Sequence, residues 1–342
     1  MNDSSAPSLS PGDQLIGHIR GFWISQIIHA IARLGVADRF ASGPRTSDEV
    51  APEVKAHAEG LYRLLRGAAS VGLMQEMAPR TFALTPMGQL LRSDVPGSMR
   101  EMALGLCDRS HWLPWGQLAE AIRTNHSTTR AALGTDIWEY FASHPEEGTL
   151  FAKTMGALTQ RIASEVPRLH DFSGYGRVAD VGGSQGVLLE AVLRAHPSCQ
   201  GILFDLPPVI EGARARIESV GLANRIKLVG GSFFEPVIPA AEAYLVKHII
   251  HDWDDAPATT ILRHIHQGAP QGARLILVER VMSDEGLNST MPLMDLNMLV
   301  MADGRERTAH EFQVLLEGTG WQFERITPAQ SGMVSLIEAR RG

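Results

Sequence analysis

At about residue 175 the hydrophobic pattern of this chain changes period. Beyond that point short apolar runs alternate with stretches of helical spacing. Strands are expected over 177–181, 201–204, 226–229, 243–246 and 274–279, with helices over 187–195 and 208–220 between the first of them. A β-α-β-α-β order buries such runs as a mostly parallel sheet covered by helices on both faces. The last two runs, 321–326 and 333–338, have no helix between them and add an antiparallel edge. The fold class is α/β, and chemistry is expected beyond the C-terminal ends of the parallel strands.

The first half reads as helix. Phe22, Ile24, Ile27, Ile28, Ile31 and Leu34 recur at spacings of three and four, the stripe of a helix that buries one face, with Gly35 as its C-cap. Thr46-Ser47-Asp48-Glu49 opens a helix with an acidic first turn. A further helix over 57–71 carries Leu61, Leu64, Leu65 and Ala68 on one face. Residues 82–85 are strand-like, and Thr85-Pro86 starts another helix with Pro in its first turn. Helices are also expected over 98–107, 112–124, 136–143 and 147–165. The order around 46–92 is that of a winged-helix unit. A prior of about 150 residues per domain fits two domains, here 1–165 and 166–342.

Composition narrows the setting. Two cysteines, Cys107 and Cys199, cannot build a disulfide framework, so a reducing cytoplasm is the expected compartment. The opening MNDSSAPSLSPGDQ has no basic n-region and no apolar h-region, so no secretory signal is expected. No run of about 18 apolar residues occurs, so no membrane span is expected. A net charge of −7 argues against a bulk nucleic-acid binder.

The segment Val178-Ala179-Asp180-Val181-Gly182-Gly183-Ser184-Gln185-Gly186 joins a strand to a helix through a glycine-rich turn. A dinucleotide site needs G-x-G-x-x-G, and that spacing is missing. Gly182-x-Ser184-x-Gly186 matches the G-x-S-x-G of a nucleophile elbow, but the elbow follows several earlier strands that residues 1–170 do not offer. An S-adenosylmethionine turn needs an acid at the end of the next strand for the ribose hydroxyls, and Asp205 stands there. A tight turn with a capping Asp is the plain structural alternative. The turn alone leaves these readings open.

Lys247-His248-Ile249-Ile250-His251-Asp252-Trp253-Asp254-Asp255 follows the fourth strand. A histidine at that position can act as a general base near neutral pH. Asp254 and Asp255 also suit the cap of a following helix with Ile261, Leu262 and Ile265. His248 and His251, if both lay on the strand, would face opposite sides, and His264 and His266 lie on different helix faces, so no metal site is expected. Glu279 ends an apolar strand, and Glu306 sits in Gly304-Arg305-Glu306-Arg307-Thr308. Either could orient a histidine. From the residues alone, a solvated charge cluster with Thr308 as N-cap is the favoured account of Glu306.

These segments occur in a fixed order with Gly231-Ser232-Phe233-Phe234, Leu277-Val278-Glu279 and Asp295-Leu296-Asn297-Met298-Leu299-Val300. Together with Leu34-Gly35-Val36-Ala37-Asp38 and Phe82-Ala83-Leu84-Thr85-Pro86-Met87-Gly88, the set resembles the S-adenosylmethionine-dependent O-methyltransferases related to acetylserotonin and caffeic acid O-methyltransferases, over nearly the whole chain. The resemblance implies a Rossmann-like cofactor-binding catalytic domain. It also implies a helical, winged-helix-like N-terminal domain, without a sheet of its own, that forms a homodimer and a pocket lid.

The resemblance assigns the cofactor to the turn at Asp180, Gly182 and Ser184, with Asp205 on the ribose and Leu206 beside it. It sets Ser232, Phe233 and Trp253 around the adenine and Lys247 alongside. His251 becomes the general base, Asp252 faces the substrate, and Glu279 and Glu306 flank the imidazole. Phe151, Met155, Asn297 and Met298 match positions lining the acceptor pocket. Two departures stand out: Ser232 replaces a common Asp, and Ala302-Asp303-Gly304 replaces a Gly-Gly approach, adding a charge near the pocket. The expected reaction is methyl transfer to a hydroxyl of a small aromatic, phenolic acceptor.

Two other classes of function compete. The winged-helix stretch could bind duplex DNA, yet residues 1–110 hold eleven Lys and Arg against eleven Asp and Glu, and Arg63 and Arg66 share their helix with Glu59. An inert cofactor-binding scaffold is the other.

Overall fold

The computed structural model describes residues 9–283 and 290–342. The chain forms two compact units, Met1–Arg109 and Ser110–Gly342.

In the first unit the helices Gly21–Arg33 and Ala58–Ser70 pack around Ile31, Phe40, Leu61, Leu65 and Phe82, each 1% exposed or less. Thr46 and Glu49 close the expected helix start reciprocally, Thr46 Oγ1 accepting from the Glu49 N–H at 3.2 Å and Glu49 Oε2 from the Thr46 N–H at 2.9 Å. The unit is not all helix. Thr81–Leu84 pairs antiparallel with Met74–Ala78 and with Arg45–Thr46, a three-stranded sheet of which only the middle strand was expected. Arg80 makes the hairpin turn at a φ of 63°, held by Asp48 and Glu59. The apolar stripe at 22–34 is also only half buried: Ile31 is inside, while Phe22, Trp23 and Ile24 are 45–53% exposed.

The second unit is built on seven strands: Arg177–Val181 (β1), Gln200–Asp205 (β2), Ile226–Gly230 (β3), Ala243–Lys247 (β4), Arg274–Glu279 (β5), Trp321–Pro328 (β6) and Ser335–Arg341 (β7). Their spatial order is β6-β7-β5-β4-β1-β2-β3. The five strands from β5 to β3 are parallel, and β7 inserts antiparallel between β5 and β6. Leu275 to Val278 are wholly buried, the continuous apolar run a doubly covered strand requires. Each such side chain contributes about 1.5–3 kcal/mol. Alternate residues feed opposite cores: Leu275 and Leu277 join the core shared with the helices Asp255–Gly268 and Ala309–Glu317, whereas Ile276 and Val278 join that of Val187–Ala195 and Pro207–Ser219.

The helices Leu118–Thr124, Ile137–Ser143 and Pro145–Gln160 belong to this second unit, so the division by contacts falls at 109/110 rather than at the 165/166 of the sequence reading. Ala121, Ile137 and Tyr140 share a core with Val300 and Met301. The helix expected over 112–124 is two, Arg109–Trp115 and Leu118–Thr124, separated at Gly116-Gln117. Among the described residues no helix is long and apolar enough to cross a membrane.

Candidate active site

Because β1, β2, β4 and β5 are parallel, their C-terminal ends share one edge of the sheet. The glycine-rich turn leaves β1 there with Gly182, Ser184 and Gly186 at φ 71°, 50° and 69°. At that φ a side chain on Gly182 would be strained, and its Cβ, 2.5 Å from Ile249 Cδ1, would push the Ile249 side chain aside. Asp205 ties the turn to β2: its Oδ2 accepts from the Ser184 N–H at 2.8 Å and its Oδ1 from the Leu206 N–H at 2.7 Å. Burial raises the Asp205 carboxyl and pushes Asp180 up to about 7, Lys247 opposing the rise at Asp180. Burial likewise lowers Lys247, against Glu279 and Asp180.

The chain leaves β4 abruptly. His248 takes a φ of 51°, and Ile250–Asp252 form a single 3-10 turn. His248 and His251 therefore do not sit on opposite faces of a strand. Their rings stack at 5.0 Å between centroids, 20° from parallel. No group of three or more His, Cys, Asp or Glu among the described residues could hold a metal ion.

His251 is 7% exposed and faces three carboxylates. Its Nδ1 is 3.0 Å from Glu306 Oε1 and 3.8 Å from Glu279 Oε2, and its Nε2 is 3.5 Å from Asp252 Oδ1. Burial pulls the imidazole pKa down, but Glu279, Asp252 and Glu306 together outweigh it and push it up to about 9. Burial raises Glu279 to about 7 and Asp252 to about 6. Glu279 Oε1 also accepts from the Ile249 and Ile250 N–H groups at 3.1 and 3.0 Å, fastening the turn to the end of β5.

Glu306 is 2% exposed, so the solvated cluster favoured from the residues alone is corrected. No local pattern could reveal this, because its partner lies 55 residues away. Thr308 does cap the next helix, in a capping box with Glu311. Asp303 turns outward instead of charging the site. At φ 58° it ends the helix Met291–Ala302 and accepts from the Ser127 N–H.

The aromatic side is continuous. Trp253 meets Phe234 edge-on at 4.7 Å and Phe233 at 6.2 Å, and stacks with Trp138 at 6.1 Å. Trp138 in turn meets Phe151 edge-on at 6.0 Å, and Phe151 stacks on Phe141 at 4.6 Å. Trp138, Phe141 and Phe234 have no part in the sequence expectation. Nothing but an aromatic pair within one short helix marks the first two. Ser232 Oγ accepts from the Phe234 N–H at 3.2 Å within its own loop. Asn297 Oδ1 is engaged by Trp115 Nε1 at 2.8 Å. Met298 is buried, and Met155 lies half-buried one turn beyond Phe151.

Buried side-chain atoms without hydrogen-bond partners gather at this edge: Asp180 Oδ2, His248 Nε2, Trp253 Nε1, Trp138 Nε1, Glu279 Oε2 and Glu306 Oε2. Such atoms are rare in folded interiors. Acceptors at the turn and indole donors among the aromatics fit a ligand carrying hydroxyl, ammonium and heterocyclic groups, as S-adenosylmethionine does.

Comparison with known proteins agrees with this geometry. Residues 115–322 match the O-methyltransferase domain family, and residues 16–94 match the O-methyltransferase dimerisation domain. The chain is 36% identical to the phenazine O-methyltransferase PhzM of Lysobacter antibioticus, over 95% of each protein. It is 32% identical to the phenazine-1-carboxylate N-methyltransferase of Pseudomonas aeruginosa, over 99% of this chain and 100% of that one. The crystal structure of LaPhzM superposes with a TM-score of 0.94 at 35% identity, covering 98% of this chain and 100% of that one. An O-methyltransferase from neocarzinostatin biosynthesis, in complex with S-adenosylmethionine and 2-hydroxy-5-methyl naphthoic acid, gives 0.81 at 32% identity over 93% and 96%.

Proposed function

The chain belongs to the S-adenosylmethionine-dependent O-methyltransferases that carry a dimerisation domain, and on that premise we propose that it methylates a phenolic hydroxyl of a small aromatic secondary metabolite with His251 as general base. The observation that carries the proposal is the His251 turn, with Glu306 at 3.0 Å on Nδ1, beside a glycine-rich turn lined by orphaned polar atoms.

Asp180, Gly182, Ser184, Asp205 and Leu206 would hold the cofactor's amino-acid and ribose portions. Ser232, Phe233 and Trp253 would take the adenine, with Lys247 alongside. The cofactor supplies an electrophilic methyl group on a sulfonium. Phe151, Met155, Asn297 and Met298 would line the acceptor side, where flat aromatic walls suit a flat ring.

Glu306 accepts a hydrogen bond from Nδ1–H, so in the neutral imidazole the lone pair lies on Nε2, toward the acceptor. Nε2 would take the phenolic proton while the oxygen's electron pair forms the new bond to the methyl carbon; the carbon–sulfur bond breaks at the same time, and its pair returns to sulfur, which leaves as the neutral thioether of S-adenosylhomocysteine. A phenol of pKa about 10 yields its proton reluctantly to an ordinary imidazole of about 6.5. Raising His251 to about 9 narrows that mismatch, each unit being worth about 1.4 kcal/mol, and it also confines the free base to alkaline pH, so turnover should climb as the pH approaches 9. Glu279 and Asp252 stabilise the imidazolium that forms.

We further propose a homodimer through the N-terminal helices, supported by the exposed Phe22, Trp23 and Ile24. A reducing cytoplasm fits the two free cysteines.

The test is His251→Ala, assayed with labelled S-adenosylmethionine against a panel of hydroxylated phenazines, naphthoates and benzoates, with product analysis separating O- from N-methylation. Turnover should fall by about 10²–10⁴, while calorimetry shows S-adenosylhomocysteine still bound. Full turnover by a folded His251→Ala protein would remove the base assignment.

A further inference from the structure

Arg307 carries a full charge at 1% exposure, a costly placement unless its donors are matched. Its Nε and Nη2 donate to Asp255 Oδ1 at 3.1 and 2.8 Å. Nη2 also donates to the Trp253 carbonyl at 2.9 Å, and Nη1 to the Ile250 carbonyl at 3.0 Å. These acceptors bracket His251 on both sides along the chain. The neighbours of Arg307 grip the same turn. The Arg305 N–H donates to the His251 carbonyl at 2.9 Å, and Glu306 meets the imidazole. The Arg307 backbone pairs in parallel with Val281, two residues past Glu279.

One residue thus links the three segments that carry His251, Glu279 and Glu306. A buried ion pair is weak evidence for stability, because well-packed apolar side chains of similar volume often do as well. What an apolar residue or a lysine cannot do is hold two carbonyls and a carboxylate in one plane.

We infer that Arg307 is a positioning residue, whose guanidinium sets the distance between the His251 imidazole and its carboxylates. The inference rests on His251 being the base. Its test reads the imidazole proton rather than methyl transfer, so the two can fail separately.

The groups facing His251 are Asp252 on its own turn, Glu279 at the end of β5, Glu306 beside Arg307, and the His248 ring stacked on it; Lys247 and Arg280 stand one group further off, acting on His248. The experiment is a ¹⁵N-imidazole NMR titration of the cofactor-free protein, with the His251 signal assigned by its loss in His251→Gln. In Arg307→Lys the turn loosens, Glu306 no longer sits on Nδ1, and the His251 midpoint should fall by about one unit or more. A folded Arg307→Lys protein with lowered melting temperature and an unmoved His251 midpoint shows a merely structural arginine and overturns the inference. If Arg307→Lys does not fold, Asp255→Ala decides, because that partner is exposed and its loss loosens the same fork. Asp254→Asn controls for charge, since Asn caps a helix as well as Asp. A fall with Asp255→Ala beyond that of Asp254→Asn supports the inference, and equal midpoints overturn it.

Discussion

Glu306 Oε1 stands 3.0 Å from Nδ1 of His251, with both side chains buried. A carboxylate there favours the tautomer with the proton on Nδ1 and helps hold the imidazole pKa up.

Glu306→Gln should separate these effects. The amide still accepts from Nδ1 but carries no charge, so the His251 pKa should drop. Turnover should fall by about 10–100-fold, and the rising limb of the pH–rate profile should move to lower pH. A profile unchanged from the wild type would show that Glu306 does not tune the base.

Folding stability should decline from mildly acidic toward basic pH. The folded pKa of Glu279 is raised from 4.5 to about 7 and that of His251 from 6.5 to about 9. A group with a raised folded pKa binds more protons folded than unfolded. Its contribution is complete below the unfolded value and is lost as pH climbs through the folded one. Glu279 loses its contribution over about pH 4.5–7 and His251 over about pH 6.5–9, so denaturant midpoints of the cofactor-free protein should fall across both windows, and more gently in the upper one in His251→Gln. A midpoint rising across those windows would contradict the assignment.

Gly304→Ala should damage turnover more than its single added carbon implies. The new Cβ would lie 2.2 Å from the His251 carbonyl oxygen and 2.7 Å from the Asp252 carbonyl carbon, both backbone atoms. Relief requires the His251 turn to shift. A loss of roughly 10²-fold in turnover is expected for a displacement of about 1 Å, with a melting temperature several degrees lower. Wild-type kinetics in this variant would mean that the turn is softer than the contacts indicate.

The exposed apolar residues of the first unit predict self-association. Trp23 is 52% exposed and Ile24 45%, so replacing both with Glu disturbs little of the folded chain itself. Sedimentation should give a dimer for the wild type and a monomer for the double variant. A wild-type monomer at tens of micromolar would end the proposal.

The separate legibility of the parts has a physical pattern. Asp180, Asp205, Lys247 and Glu279 stand at strand ends, and strand ends are marked by where an apolar run stops, a local property. The caps at Thr46 and Thr308 are local too, three residues between partners. Trp138 and Arg307 carry no local mark of their roles, because those roles lie in partners on other segments. Met155 and Met298 came from family resemblance, since a buried Met on a helix reads as core by default.

By itself the sequence determined a parallel α/β unit, its glycine-rich turn and a histidine beyond the fourth strand, because periodicity and turn chemistry act over a few residues. Only the tertiary structure decided that Glu306 is buried against His251, that the two histidines stack, and that Arg307 clasps the turn between them. The stack follows from the left-handed turn at His248, whereas the Glu306 and Arg307 contacts depend on chain segments about fifty residues apart meeting where water is excluded, and no short-range pattern encodes which charges will meet there.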